Sequence, residues 1–77
     1  MGITMVDVTL HIDQNSSASE RDGLREQLLE QDGVLAADFG SNTPHLVIIE
    51  YDPDKINSSA FVELAKNNGL HAELVGL

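Results

Sequence analysis

The feature that most restricts the fold of this chain is a period of two among the apolar residues near its start. From Met5 to Ile12, aliphatic side chains alternate with other residues, among them Asp7, Thr9 and His11. Successive side chains of a β-strand point to opposite faces of its sheet, so this pattern predicts a strand with one buried and one open face. Other elements of the chain must then cover the aliphatic side of that strand.

Five further segments follow the first strand. Ser17 and Glu20 have the spacing of a capping box, which predicts the start of a helix. Asp32-Gly33 and Asn68-Gly69 are typical of helix ends. The predicted elements are a strand over 5–12, a helix over 17–31, strands over 34–39 and 46–51 with a turn over 40–44 between them, a helix from 57 to 68, and a strand over 70–75.

This β-α-β-β-α-β order predicts an α+β fold of the ferredoxin-like type, with a four-stranded antiparallel sheet and two helices on one face. Right-handed crossovers place the first and third strands in the centre of such a sheet. No linker, repeat or low-complexity segment divides the 77 residues. We therefore expect a single domain over residues 1–77 with one thin core.

Charge and composition exclude several classes of function. The chain has 13 acidic and 4 basic residues, a formal net charge of -9, and no cysteine. The basic residues are dispersed, whereas nucleic-acid binding needs a clustered basic surface, and the charge opposes binding to anionic lipid. No signal peptide or membrane span is visible, so the expected location is the cytoplasm. A cation or a basic protein suits this charge.

Three segments, taken in order, carry a resemblance to a known family. Residues 32–39 read DGVLAADF, residues 48–56 read IIEYDPDKI, and residues 67–75 read NNGLHAELV. They resemble three stretches of the heavy-metal-associated, copper-chaperone-like domains: a Pro-Gly-Val followed by a strand, a Val-Glu-Tyr-Asp-Pro segment, and a closing Ala-Gly-Tyr-x-Ala-x-Leu. The resemblance covers nearly the whole chain, and it implies the same ferredoxin-like fold.

The chain departs from this family where the family binds its metal. There, a Gly-Met-x-Cys-x-x-Cys loop between the first strand and the first helix offers two thiolates to Cu(I). Here the loop reads QNSSASE over residues 14–20, so Ser17 and Glu20 occupy the cysteine positions. Leu70 stands where the family has an aromatic residue near the loop. The resemblance therefore implies a degenerate site without a thiolate-bound cofactor, and the capping box explains both residues without a metal.

Two histidines offer a different set of metal ligands. His11 on the first strand and His71 on the fourth are predicted to lie at the same end of the open sheet face, with Glu50 on that face and Asp13 close in sequence. Imidazole and carboxylate groups bind Zn(II), Ni(II) or Cu(II). The alternative is two separate surface histidines. His45 is expected to be a turn residue.

The open face also carries candidate interface residues. Leu46 and Ile48 alternate with the inward-facing residues of the third strand, so both are predicted to face solvent. A solvent-facing apolar pair on a central strand suggests a homodimer or a protein partner at this face. Ordinary exposed apolar area is the alternative.

No catalytic constellation is visible, and the loop over residues 14–20 lacks the arginine with which an acylphosphatase would bind phosphate. We therefore expect no enzyme. The sequence favours a metallochaperone-like domain that has lost its soft-metal site and acts as a protein-interaction module. The alternatives are a heavy-metal-binding or transport protein that uses histidine and carboxylate ligands, and a small-ligand regulatory domain that forms a dimer.

Overall fold

The computed structural model of this chain describes residues 4–75, and its elements follow the predicted order. The elements are β1 (Val6–Ile12), α1 (Ala18–Glu30), β2 (Val34–Gly40), β3 (Thr43–Tyr51), α2 (Ser59–Asn67) and β4 (Ala72–Val75). The expected domain of residues 1–77 includes 1–3 and 76–77, which lie outside the described residues, and it stays a prediction. Neither α1 nor α2 has the length and apolar character that a membrane crossing requires.

The four strands form one sheet in the order β2-β3-β1-β4, and every neighbouring pair is antiparallel. β1 and β3 occupy the centre as predicted, which confirms the α+β, ferredoxin-like architecture. The turn between β2 and β3 is tighter than expected, because β3 already begins at Thr43. Pro44 therefore lies inside β3, close to its first residue, where the missing N–H of a proline is tolerated.

Both helices cover the same face of the sheet. Inward-facing residues of the strands and the apolar faces of the helices form one buried cluster. Its largest members are Val8, Leu10, Ile12, Leu24, Leu28, Val47, Ile49, Tyr51, Phe61 and Leu70. At the centre, the rings of Tyr51 and Phe61 meet edge to face, with their centroids 5.0 Å apart. The predicted alternation of β1 is confirmed, because its even-numbered residues supply this core.

A reciprocal pair of amides joins the two helices. Gln27 Nε2 on α1 donates a hydrogen bond to Asn68 Oδ1 over 3.1 Å. Asn68 Nδ2 donates in return to Gln27 Oε1 over 2.9 Å, and also to the Leu64 carbonyl oxygen over 2.8 Å. The amides thus fix the end of α2 against the last turn of α1 while leaving neither partner unsatisfied.

The two glycines that follow the helices have the left-handed backbone that such ends require. The φ angle is +99° at Gly33 and +76° at Gly69. Their surroundings differ, because a Cβ at Gly33 would lie 2.8 Å from Lys55 Cβ, whereas a Cβ at Gly69 would meet no atom within 4 Å. At Gly33 the fold therefore depends on both the backbone angle and the missing side chain.

These two glycines give a matched pair of substitutions. Gly69→Ala should lower the free energy of unfolding by about 1 kcal/mol, the cost of a left-handed residue with a Cβ. Gly33→Ala should cost clearly more, since the methyl group also collides with the Lys55 side chain. Urea unfolding followed by circular dichroism measures both. Equal losses for the two variants would contradict the close packing at Gly33.

Candidate functional site

The loop between β1 and α1 places Ser17 and Glu20 at the start of the helix. Ser17 Oγ accepts a hydrogen bond from the Glu20 backbone N–H at 3.1 Å, and Glu20 Oε1 accepts one from the Ser17 N–H at 2.8 Å. This is the predicted capping box, and it is confirmed. Both side chains satisfy N–H groups that have no partner within the helix. The structure therefore engages both Ser17 and Glu20 in beginning the helix.

The same loop is joined to the connection between α2 and β4. Gln14 Oε1 accepts a hydrogen bond from the His71 N–H at 2.9 Å, and Gln14 Nε2 donates to the Gly69 carbonyl oxygen at 3.3 Å. The Asp13 N–H also donates to the His71 carbonyl oxygen at 2.9 Å. Leu70, between these contacts, is buried in the core. Three hydrogen bonds thus join the start of the β1–α1 loop to the connection between α2 and β4.

Four polar side chains gather where β1 ends and β4 begins, and we call His11, Asp13, His71 and Glu73 the edge cluster. Asp13 bonds to both histidines, with Oδ1 2.9 Å from His11 Nδ1 and Oδ2 2.7 Å from His71 Nδ1. Glu73 is paired with His11 across the two strands. Ligand atoms of His11, Asp13 and Glu73 all lie within 4.8 Å of one another.

The structure brings His11 and His71 together through Asp13, but it does not bring Glu50 to them. Glu50 is paired with Asp7, and His11 is paired with Leu46. Asp7 lies four positions before His11 on β1, or about 13 Å away at the usual rise per residue. Glu73 takes the expected place of Glu50. The pairing of β4 with β1 is the signal that could have identified Glu73, since His11 and Glu73 are both outward-facing residues.

His45 lies within β3 and outside the edge cluster, whereas a turn was expected. Its Nδ1 lies 2.9 Å from the Ile12 carbonyl oxygen, so the ring is held by the backbone of β1. The centroids of the His45 and His11 rings are 6.3 Å apart. His45 therefore lies next to the edge cluster, and its own Nδ1 already contacts a backbone carbonyl.

The two histidines of the edge cluster lower the pKa of the Asp13 carboxyl. The hydrogen bond from His71 lowers the pKa of the Asp13 carboxyl below its ordinary value of 3.8, and the charges of His71 and His11 lower it further. Partial loss of water around the carboxyl opposes this shift. The ionised carboxylate is therefore the form that the cluster stabilises.

The sheet face opposite the helices carries apolar side chains at its centre. Ile48 is 53% exposed and Val75 is 46% exposed, while Leu46 is half-buried. Thr9 is paired with Ile48 on one side and with Val75 on the other, so these three form a row across the face. Acidic residues adjoin the row on the same face, namely Asp7, Asp38, Glu50 and Glu73.

Comparison with known proteins bears on the fold. No protein-family model matches the chain, and no curated protein sequence matches it. Solved structures do match over most of the chain. The N-terminal domain of a potential copper-translocating P-type ATPase from Bacillus subtilis, in its Cu(I)-loaded state, has a TM-score of 0.84 at 20% identity, covering 95% of this chain and 90% of that one.

Two other structures agree with the first. Oxidized MerP from Ralstonia metallidurans CH34 gives a TM-score of 0.83 at 14% identity, covering 95% of this chain and 100% of that one. The CopZ metallochaperone gives 0.79 at 20% identity, covering 88% and 100%. This chain shares the ferredoxin-like fold of these structures. It builds that fold from a sequence with no cysteine.

The lowered pKa of Asp13 predicts how acid affects stability. A carboxyl whose pKa is lower in the folded than in the unfolded chain stabilises the fold fully above the unfolded value, and loses that effect as the pH falls through the folded value. In the presence of a chelator, the difference in unfolding free energy between the wild type and Asp13→Asn should therefore be larger at pH 7 than well below pH 3.8.

Asp54→Asn is the charge-matched control for this measurement, since Asp54 is an exposed carboxylate in another part of the chain. Chemical denaturation at both pH values gives the two differences. An Asp13→Asn effect that is the same at both pH values, or that Asp54→Asn reproduces, would show that the histidine contacts do not stabilise the ionised carboxylate.

Proposed function

We propose that this chain is a metallochaperone-like domain that no longer carries soft metals and instead binds a basic protein partner through its open sheet face. The observation that carries the proposal is that face, where exposed Ile48 and Val75 are bordered by carboxylates. The domain acts as an interaction module rather than as an enzyme, in the cytoplasmic location that the sequence favours.

The chemistry of the β1–α1 loop supports the loss of soft-metal transfer. Cu(I) prefers sulfur ligands, and Ser17 and Glu20 offer only oxygen. Both side chains are also engaged in the capping box. A metal at these positions would have to displace those bonds, at a cost of about 1 kcal/mol for the Ser17 contact. Cu(I), which the similar Bacillus subtilis domain carries, is therefore not expected to bind here.

Charge on the open face supports a partner other than a second copy of the chain. Among the strand residues within 4–75 that share this face, four are acidic and none is lysine or arginine. Arg25 of α1 pairs with one of the four, since its Nε lies 3.4 Å from Asp38 Oδ1. A homodimer through this face would place these carboxylates against their copies, in a chain with a net charge of -9. Like charges across an interface oppose association, whereas a basic surface meets the same carboxylates favourably.

Apolar contact and charge have separate roles in this proposal. Burying an isoleucine side chain contributes about 1.5–3 kcal/mol, so Ile48 is the expected centre of the contact. Carboxylates at the edge of an interface mainly set the rate of encounter and the choice of partner. Binding should therefore weaken both when Ile48 is shortened and when salt screens the charges.

One prediction of this proposal concerns Cu(I). The wild-type chain should fail to remove Cu(I) from a chromophoric chelator under anaerobic conditions. The double variant Ser17→Cys/Glu20→Cys is the positive control, because it restores two thiolates three positions apart on the same fold and should take up one Cu(I) per chain. Each single variant should bind far more weakly. Stoichiometric Cu(I) capture by the wild type would overturn the loss of soft-metal binding.

Another prediction of this proposal concerns the open face. Ile48→Thr, which keeps a β-branched side chain, should weaken partner binding by about tenfold or more. Leu29→Gln is the control, since Leu29 is 37% exposed on α1, on the other side of the sheet. Immobilised wild type and both variants are compared for retention of a basic protein from native extract, and the affinity is then measured with that protein purified.

Sedimentation at low and high salt tests the choice of partner. The free wild-type chain should remain a monomer at low salt, where repulsion between carboxylates is greatest. A dimer that Ile48→Thr dissociates would show that the open face binds a second copy instead. A purified basic partner that binds Ile48→Thr as tightly as the wild type would contradict the proposed surface.

A further inference from the structure

We propose that the edge cluster of His11, Asp13, His71 and Glu73 is a binding site for a divalent first-row transition-metal ion such as Zn(II). This site lies at the junction of β1 with β4, and it uses none of the atoms at Ser17 or Glu20. Glu73 also borders the docking surface around Ile48. The two proposals are tested separately by Ile48→Thr, which changes no residue of the edge cluster, and by His71→Gln, which changes no strand residue of the open face.

The backbone already places the four residues together. His11 and Glu73 are paired across β1 and β4, so both side chains start from the same face of the sheet. Two residue pairs further along, the Asp13 N–H donates to the His71 carbonyl oxygen, and the His71 N–H donates to Gln14 Oε1. The ligands therefore come from two antiparallel segments whose relative position is fixed by hydrogen bonds, which reduces the ordering that metal binding would require.

The distances are close to those of a metal site. Ligand atoms bound to Zn(II) lie about 2.0–2.2 Å from the ion, so neighbouring ligands are about 3.5 Å apart in a tetrahedral site. In this structure, ligand atoms of His11, Asp13 and Glu73 lie within 4.8 Å of one another. Small side-chain rotations close that difference. His71 is exposed for 76% of its side chain and already contacts Asp13, so it can join as a fourth ligand.

The donor set selects the kind of ion. Imidazole nitrogen suits zinc, copper and nickel, whereas magnesium and calcium prefer oxygen ligands only. Two neutral imidazoles and two carboxylates carry a charge of -2, which balances a divalent cation. The chain as a whole attracts cations through its net charge of -9. Asp13 faces the Nδ1 atoms of both rings, so the histidines can bind the ion through Nε2 while Asp13 orients the rings, or through Nδ1 once its contact with Asp13 opens.

The four residues also have a simpler role, which is to hold β4 against the end of β1 through hydrogen bonds of Asp13. That role predicts no selectivity for a metal and no saturation. It also gives Glu73 no function, because the contacts of Asp13 involve only the two histidines. The effect of Glu73 on metal binding therefore separates the two roles.

The experiment is a titration of the tag-free, chelator-treated full chain with Zn(II), in competition with a chromophoric zinc indicator and in the presence of excess Mg(II). We expect one Zn(II) per chain. His11→Gln, His71→Gln and Glu73→Gln should each weaken binding by about tenfold or more. The matched controls are His45→Gln and Glu50→Gln, which remove the same groups outside the cluster and should leave the affinity within about twofold, the usual context effect of a removed surface charge.

A second measurement keeps the proposal testable if a variant folds poorly. In the wild-type chain, Zn(II) should shift or broaden the ring proton signals of His11 and His71 in NMR spectra, and should leave those of His45 in place. Absence of saturable Zn(II) binding, equal losses in the control variants, or a Glu73→Gln variant that binds like the wild type would each overturn the site.

Discussion

Strand β1 is hydrogen-bonded along both of its edges, to β3 on one side and to β4 on the other, and the rest of the structure depends on that position. Because its side chains alternate, the strand contributes Val8, Leu10 and Ile12 to the core, and Thr9 and His11 to the open face. Both candidate surfaces start from this strand. The apolar row of the open face crosses it at Thr9, and the edge cluster forms where it ends.

At the junction between β1 and α1, this chain keeps the fold of the similar structures but has no cysteine with which to bind copper. A helix needs its first N–H groups satisfied, and a serine followed three residues later by a glutamate does this with two side chains. Two cysteines at that spacing can hold a soft ion. This chain has the serine and the glutamate, and both side chains are engaged at the start of α1.

Most of the fold could be predicted from local patterns. The alternation of β1, the capping box at Ser17 and the glycine at position 33 each follow from interactions among near neighbours. Strand boundaries were less accurate at the β2–β3 turn, because residues 40–44 were assigned to the turn, whereas β3 begins at Thr43 and tolerates Pro44 near its start. At this turn, the pairing of β3 with β2 outweighed the preference of Pro44 for a turn.

The candidate site was predicted only in part, because its composition depends on strand register. Both histidines were assigned to one end of the open face, and the structure places them together through Asp13. The choice of carboxylate was less certain, since a residue on the same face can still lie several pairs away along a strand, as Glu50 does. Contacts such as those of Gln14 with the α2–β4 connection have no local sequence signal, because they join residues 55 and 57 positions apart.

The reciprocal amides of Gln27 and Asn68 give the helical layer a different sensitivity to solution conditions from that of the sheet surface. An amide neither gains nor loses a proton in the physiological range, and a contact between neutral groups is little affected by counterions. The relative position of α1 and α2 should consequently be insensitive to acidity and ionic strength. A change in pH or salt concentration would then alter the binding of cations and basic partners to the carboxylates of the open face, while the packing of α1 against α2 stays the same.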